Sequence, residues 1–412
     1  VAARTLGAAQ FGILILINLV VVTIGDLTVF PGWYAIIRFG SPGFENADSM
    51  EFRKLLSFSI CLELCSGVAA VMLAAAVAPL VAPLLGIPTR LMPVLLVFSL
   101  AALSSARSTP AAILYLGERF NTLAIQQALA GLVRLAGAVV AYLSDTGLSG
   151  FVYAWLLANL AEAGFMWLFA LIELRRRSLL KLTVVSPLGI SRIYPDIWRF
   201  SIATKLNKSL EDISPRITPF AVGLVLEPMA VGLYHVAFRL GMLLAQPVIV
   251  LVGSVYPELT RLVRDNDLLG LRRVVVRSGL VAAIIGSPLF LIYVLFGDLL
   301  LEWIGGEGFG QAYPVLVMIA AAQLIGLLGF PLGSALQAAG RPGLVLRVNL
   351  IAITVLFPGL IGLLHVLGLI GAGVYAVTLS TLVVSVLGTH WWKQSRRHEA
   401  LLPESFGLAN KL

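Results

Sequence analysis

Long apolar runs separated by short polar loops set the pattern of this chain from its first residues to residue 392. A hydrocarbon core of about 30 Å is crossed by about 20 residues at helical rise. Runs of that length lie near 9–31, 56–80, 91–115, 121–143 and 149–173. Six more lie near 199–225, 231–253, 276–297, 312–335, 344–365 and 369–392, of which 199–225 is the most polar. Runs this long and this apolar predict helices, because a segment in lipid must satisfy its own backbone donors and acceptors. The expectation is an all-α polytopic membrane protein with about 11 transmembrane helices.

The runs also repeat. Leu6-Gly7-Ala8-Ala9-Gln10-Phe11-Gly12-Ile13 returns in outline as Leu226-Glu227-Pro228-Met229-Ala230-Val231-Gly232-Leu233. Gly12 and Gly232 are 220 residues apart, and Pro93-Val94-Leu95 precedes Pro314-Val315-Leu316 by 221. Val152-Tyr153-Ala154 and Val374-Tyr375-Ala376 are offset by 222, and Gly117 and Gly340 by 223. Four matches in one slowly drifting register indicate an internal duplication, hence two parallel-related helical bundles. The expected organisation is an N-terminal bundle over 1–173, a linker over 174–198, a C-terminal bundle over 199–392 and a tail over 393–412. The first copy shows five runs where the second shows six, so a first helix preceding Leu6 is expected to be missing.

Composition agrees with a bilayer setting: 59% of the 412 residues are hydrophobic and 12% charged, with a mean hydropathy of +0.96. The net charge of +8 sits mostly on alternate loops. Arg38, Arg53, Lys54, Arg119, the Arg175-Arg176-Arg177 run, Lys181, Arg192, Arg199, Arg261, Arg264, Arg272, Arg273, Arg277, Arg341, Arg347, Lys393, Arg396, Arg397 and Lys411 fall on one side, and only Arg4 and Arg90 on the other. By the positive-inside rule the basic side is cytoplasmic. Basic residues scattered over short loops do not make a nucleic-acid surface.

Little reactive chemistry remains. Cys61 and Cys65 stand four apart on one predicted helix, poorly placed for a disulfide, and His235, His365, His390 and His398 lack metal-ligand spacing. Gly305-Gly306-Glu307-Gly308-Phe309-Gly310 fits no nucleotide-binding pattern and reads as a turn before a helix. Neither a catalytic constellation, a metal site nor a cofactor is expected, and the chain does not read as an enzyme.

Ionisable residues within the spans carry the remaining signal, since each costs about 2.5 to 3.5 kcal/mol at a helix centre. Lys205, Lys208, Ser209, Asp212 and Arg216 recur three or four residues apart and form one polar stripe, with Glu211 at its margin. Arg216 could pair with Asp212, and Lys208 with Glu211 or Asp212. Arg134 and Arg239 have no opposite charge at helical spacing, which makes them the leading candidates for a wet cavity. Arg107 adds a further cation, Asp26, Glu63 and Glu162 add carboxylates, and Asp26, Glu63 and Asp212 are candidates for ion or proton coupling.

At Ala3-Arg4-Thr5-Leu6-Gly7-Ala8-Ala9-Gln10-Phe11-Gly12, Val231-Gly232-Leu233-Tyr234-His235-Val236-Ala237-Phe238-Arg239-Leu240, Tyr256-Pro257-Glu258-Leu259 and Gly306-Glu307-Gly308-Phe309-Gly310-Gln311-Ala312 the chain resembles bacterial polysaccharide repeat-unit flippases. These belong to the multidrug, oligosaccharidyl-lipid and polysaccharide export superfamily. The resemblance implies a MATE-like fold of two lobes in the bacterial cytoplasmic (inner) membrane. It also implies a substrate of undecaprenyl-diphosphate-linked oligosaccharide, moved by alternating access. Cations would then hold the pyrophosphate: Arg239 and Arg134 first, with Lys205, Lys208, Arg216 and Arg107 behind them. A monomer in the lipid bilayer is expected, with polysaccharide polymerase machinery as a conceivable partner. The rivals are a cation-coupled multidrug exporter of the same superfamily and a membrane scaffold for polysaccharide assembly.

Overall fold

The computed structural model describes residues 1–45, 50–179, 187–265 and 267–399. Lys181, and the tail from residue 400 with Lys411, lie outside the described residues, and nothing is described of the Arg396 and Arg397 side chains. Among the described residues the regular structure is helical. In the first half the helices are α1 (Ala2–Thr28), α2 (Trp33–Glu45), α3 (Met50–Val81), α4 (Met92–Phe98), α5 (Ser108–Leu116), α6 (Phe120–Leu143), α7 (Gly147–Arg176) and α8 (Pro187–Ile193). The second half holds α9 (Ile197–Ile213), α10 (Ile217–Val225), α11 (Pro228–Met242), α12 (Gln246–Arg264), α13 (Leu268–Gly305), α14 (Tyr313–Ala338), α15 (Pro342–Leu367) and α16 (Ile370–Glu399).

Among the described residues ten helical segments are long and apolar enough to cross a membrane, and each overlays one predicted run. The eleventh run, 199–225, is helical but is not among them. Its first half carries Lys205, Lys208, Glu211 and Asp212, and a 3-10 turn at Ser214–Arg216 separates α9 from α10. Pro215 explains the break, because its ring lacks the N–H that a continuous helix would use. The Gly306 and Gly308 backbones take φ of 99° and 84° in the link from α13 to α14, the turn that the glycine-rich segment predicted.

The chain divides into two compact units, Val1–Gly232 and Leu233–Leu412. The division falls beyond the 174–198 linker because α9 packs on α1 and α2. In the first unit Ile36, Phe44, Phe52, Leu56, Ile113 and Leu174 bring α2, α3, α5 and α7 into one buried cluster. In the second, Leu259, Leu271, Leu336 and Trp391 do the same for α12, α13, α14 and α16. Leu132, Leu135 and Val140 on α6 stay exposed, as suits a helix face turned to acyl chains.

The repeat is visible in local backbone as well. Gly7 (φ 70°, ψ 169°) interrupts α1, and Leu226, one residue from the equivalent position, ends α10 in extended backbone (φ −114°, ψ 177°). Past these breaks the two equivalent segments come into close backbone contact inside the first unit. A Cβ on Gly12 would run into the Pro228 carbonyl, and one on Gly232 into the Ala8 carbonyl. Ala8 and Pro228 are themselves repeat equivalents, so the contact is reciprocal. Glycine is required there by the closeness of the two backbones.

Candidate functional site

A cavity of about 480 Å³ opens in the first unit, lined by Asp26, Arg107, Lys205, Lys208, Asp212 and Arg216 together with Trp33, Tyr34, Ser105 and Ser108. Its charged lining is four cations against two carboxylates. The helix ends around it explain how those charges are tolerated.

Asp26 lies in the last turn of α1, which stops where Phe30-Pro31-Gly32 follows, as expected before a proline. That end leaves carbonyl groups without helical partners. Lys205 Nζ donates to the Asp26 carbonyl at 2.7 Å and to the Val29 carbonyl at 2.6 Å. A cation at a helix C-terminus is also favoured by the helix dipole. The Asp26 carboxylate accepts from Ser105 Oγ at 2.6 Å and forms an ion pair with Arg216. Both members of that pair are about one-fifth exposed, at 20% and 21%. Lys208 pairs with Asp212 at 2.9 Å, one helical turn along α9.

Arg107 stands at the start of α5 and forms an ion pair with Glu162 of α7. The backbone around it is pinned from several sides. The Trp167 indole N–H donates to the Ala106 carbonyl at 2.7 Å, the Trp33 backbone N–H to Ser108 Oγ at 2.9 Å, and Gln126 Nε2 to the Glu162 carbonyl at 2.7 Å. Each cavity cation thus meets a carboxylate or carbonyl oxygen, on another helix or its C-terminal end for Arg107, Lys205 and Arg216 and on α9 itself for Lys208. Guanidinium and ammonium groups presented in this way can bond carboxylate or phosphate oxygens alike.

The sequence candidates are distributed as follows. Arg107, Lys205, Lys208, Arg216, Asp26 and Asp212 come together around this cavity. Nothing is described of the Glu211 side chain. Arg216 takes Asp26 as its partner instead of Asp212. Glu63 lies apart and fully buried on α3, where its two carboxylate oxygens accept the backbone N–H groups of Ser108 and Thr109, the latter at 2.6 Å. It therefore holds the N-terminal turn of α5. Arg134 lies on α6, donating to Asn159 Oδ1 at 3.2 Å with its guanidinium 5.3 Å from the Trp155 ring centroid. Arg239 is exposed on α11 in the second unit.

Ser105, Trp33 and Tyr34 were not anticipated, and nothing in their spacing points to them. Among the described residues no cluster of three or more histidine, cysteine or acidic residues could hold a metal ion. Cys61 and Cys65 are free thiols, 3.9 Å between sulfurs.

Comparison with known proteins adds the following. Residues 1–314 match the family described as Polysaccharide biosynthesis protein. Inner membrane protein YghQ of Escherichia coli (strain K12) is 31% identical over 318 residues, covering 76% of this chain and 88% of that protein. The "Probable low-salt glycan biosynthesis flippase Agl15" of Haloferax volcanii is 27% identical over 41% of this chain and 36% of its own length. Among solved structures, an inward-facing multidrug resistance MATE family transporter superposes with a TM-score of 0.77 at 15% identity, over 97% of this chain and 92% of that one. The lipid II flippase MurJ in its inward closed conformation superposes with 0.70 at 13% identity, over 93% and 82%. These two likenesses establish the fold.

Proposed function

The chain belongs to the polysaccharide biosynthesis protein family, and on that premise we propose that it is a flippase of the bacterial cytoplasmic membrane. Its cargo on this reading is an undecaprenyl-diphosphate-linked oligosaccharide, moved by alternating access without covalent chemistry. Support comes from the names of the relatives, one called an inner membrane protein and one a "Probable low-salt glycan biosynthesis flippase", and above all from the cavity. Four cations against two carboxylates around one chamber leave an excess of positive charge, which suits a pyrophosphate and suits a cationic drug badly.

Arg107, Lys205, Lys208 and Arg216 are the proposed head-group contacts. In the unloaded state their carboxylate and carbonyl partners keep them from being bare charges in a low-dielectric setting. On loading, phosphate oxygens replace some of those partners while the polyprenyl tail stays in lipid. Moving two negative charges outward from a negative interior gains about 4 to 5 kcal/mol per 100 mV, provided the carrier resets without moving compensating charge. Asp26 and Asp212, released by phosphate, are the proposed sites for any coupled cation or proton.

The test is translocation of undecaprenyl-pyrophosphate-linked oligosaccharide in vesicles reconstituted with the full chain. Wild-type protein is expected to move it, and an Arg107→Gln, Arg216→Gln double variant to lose the activity while remaining folded. Wild-type rates from that variant would remove the cavity from the proposal. An Arg239→Ala, Arg134→Ala variant in the same assay measures what those two arginines add.

A further inference from the structure

A second polar cluster lies along the helix faces that line the cavity. On α7, Trp155, Asn159, Glu162 and Met166 are spaced four, three and four residues apart, which puts them on one face. Met166 lines the cavity and Glu162 holds its Arg107. Trp155 is eleven residues from Met166, or about 16 Å at helical rise, toward the end of α7 remote from the Arg175-Arg176-Arg177 run. On α1, Asn18 is eleven residues before Val29, another lining residue, and three helical turns put both on one side.

These residues touch one another. Arg134 of α6 donates to Asn159 Oδ1 at 3.2 Å, Asn159 Nδ2 donates to Asn18 Oδ1 at 3.1 Å, and the Arg134 guanidinium is 5.3 Å from the Trp155 ring centroid. Asn159, 5% exposed, has both ends of its amide engaged and sets the orientation of the other two. The chain of bonds ends at Asn18, which accepts one bond while its own NH₂ donates none among the described residues. The Trp155 indole N–H likewise makes no hydrogen bond among the described residues, and both side chains are half-buried, not sealed. An arginine and two amides are costly in a span unless polar groups use them.

We infer that Asn18, Arg134, Trp155 and Asn159 form a saccharide-binding station, separate from the cations that meet the pyrophosphate. Sugars suit this set: an indole face covers the apolar C–H face of a pyranose, and amide and guanidinium donors meet its hydroxyls. The inference rests on the flippase reading and extends it. The pyrophosphate sits at the cavity and the glycan reaches toward the outer half of the membrane along α1 and α7.

The experiment measures binding of two probes to the purified full chain in lipid nanodiscs: undecaprenyl pyrophosphate alone, and the sugar-bearing lipid extracted from the source cell. Trp155→Ala and Asn18→Ala are each expected to weaken the sugar-bearing probe about tenfold, the scale of one aromatic contact or one hydrogen bond, and to leave undecaprenyl pyrophosphate affinity unchanged. Trp155→Tyr, which keeps an aromatic face, is expected to restore most of the loss and also covers the case in which the alanine variant folds poorly. Equal loss for both probes, or none for either, overturns the station. Wild-type protein that binds neither probe overturns the flippase reading itself, a result distinguishable from failure of the station alone.

Discussion

Replacing Glu63 by glutamine isolates what a fully buried carboxylate does in this fold. Both of its oxygens accept backbone N–H groups, from Ser108 and Thr109, at the first turn of α5. Glutamine fills the same volume but offers one oxygen, so one of those N–H groups would face an amide NH₂. A buried donor left without a partner costs about 1 to 3 kcal/mol. Loss of negative charge at a helix N-terminus adds about 0.3 to 1 kcal/mol, and the smaller desolvation of a neutral side chain returns part of the sum. The expected net loss is about 2 kcal/mol, roughly thirtyfold in the folded-to-unfolded ratio. Glu63→Ala, which removes both acceptors, is expected to lose more. Denaturant titration of the detergent-purified chain measures the stability, and vesicle translocation normalised to folded protein measures the function. On this account Glu63→Gln is less stable yet transports at a near wild-type rate per folded molecule. Unchanged stability with abolished transport would refute the capping argument and make Glu63 a coupling residue.

Two further outcomes follow from the first unit. Gly7→Ala has open space for its methyl but must hold φ at 70°, so a loss of about 1 to 3 kcal/mol is expected by the same denaturant titration, whereas Gly131→Ala on α6, equally open and at ordinary φ, should be neutral or stabilising. A double-mutant cycle of Asp26→Asn and Arg216→Gln should report a coupling of about 1 to 3 kcal/mol, below the buried-pair range because both side chains are about one-fifth exposed; a coupling under about 0.5 kcal/mol would mean that the pair is solvated.

The membrane spans were legible because hydropathy over about 20 residues is a property of the local sequence. The same locality explains the success with Lys208 and Asp212, four residues apart on α9 and paired at 2.9 Å. It also explains where the reading stopped. Arg216 is four residues beyond Asp212, but the 3-10 turn at Ser214–Arg216 rotates it off that stripe, and it pairs with Asp26, 190 residues away in sequence. Lys205, read as one member of the α9 stripe, is held by carbonyls at the end of α1, which only the packing of α9 on α1 reveals. Arg134 was selected for having no charged neighbour at helical spacing. A neutral amide and an indole on α7 are among the groups it meets, and neither carries a charge signature that a sequence reading could use.

The account stands on the cavity cations of the first unit recognising a lipid-linked pyrophosphate, and a comparison of two lipids differing only in that group tests it most directly. Binding of undecaprenyl pyrophosphate and of uncharged undecaprenol is measured for wild-type protein and for a variant with Arg107, Lys205, Lys208 and Arg216 changed to glutamine. The wild type is expected to prefer the pyrophosphate and the variant to lose that preference. Equal affinity of wild-type protein for both lipids, or an undiminished preference in the variant, would contradict the account.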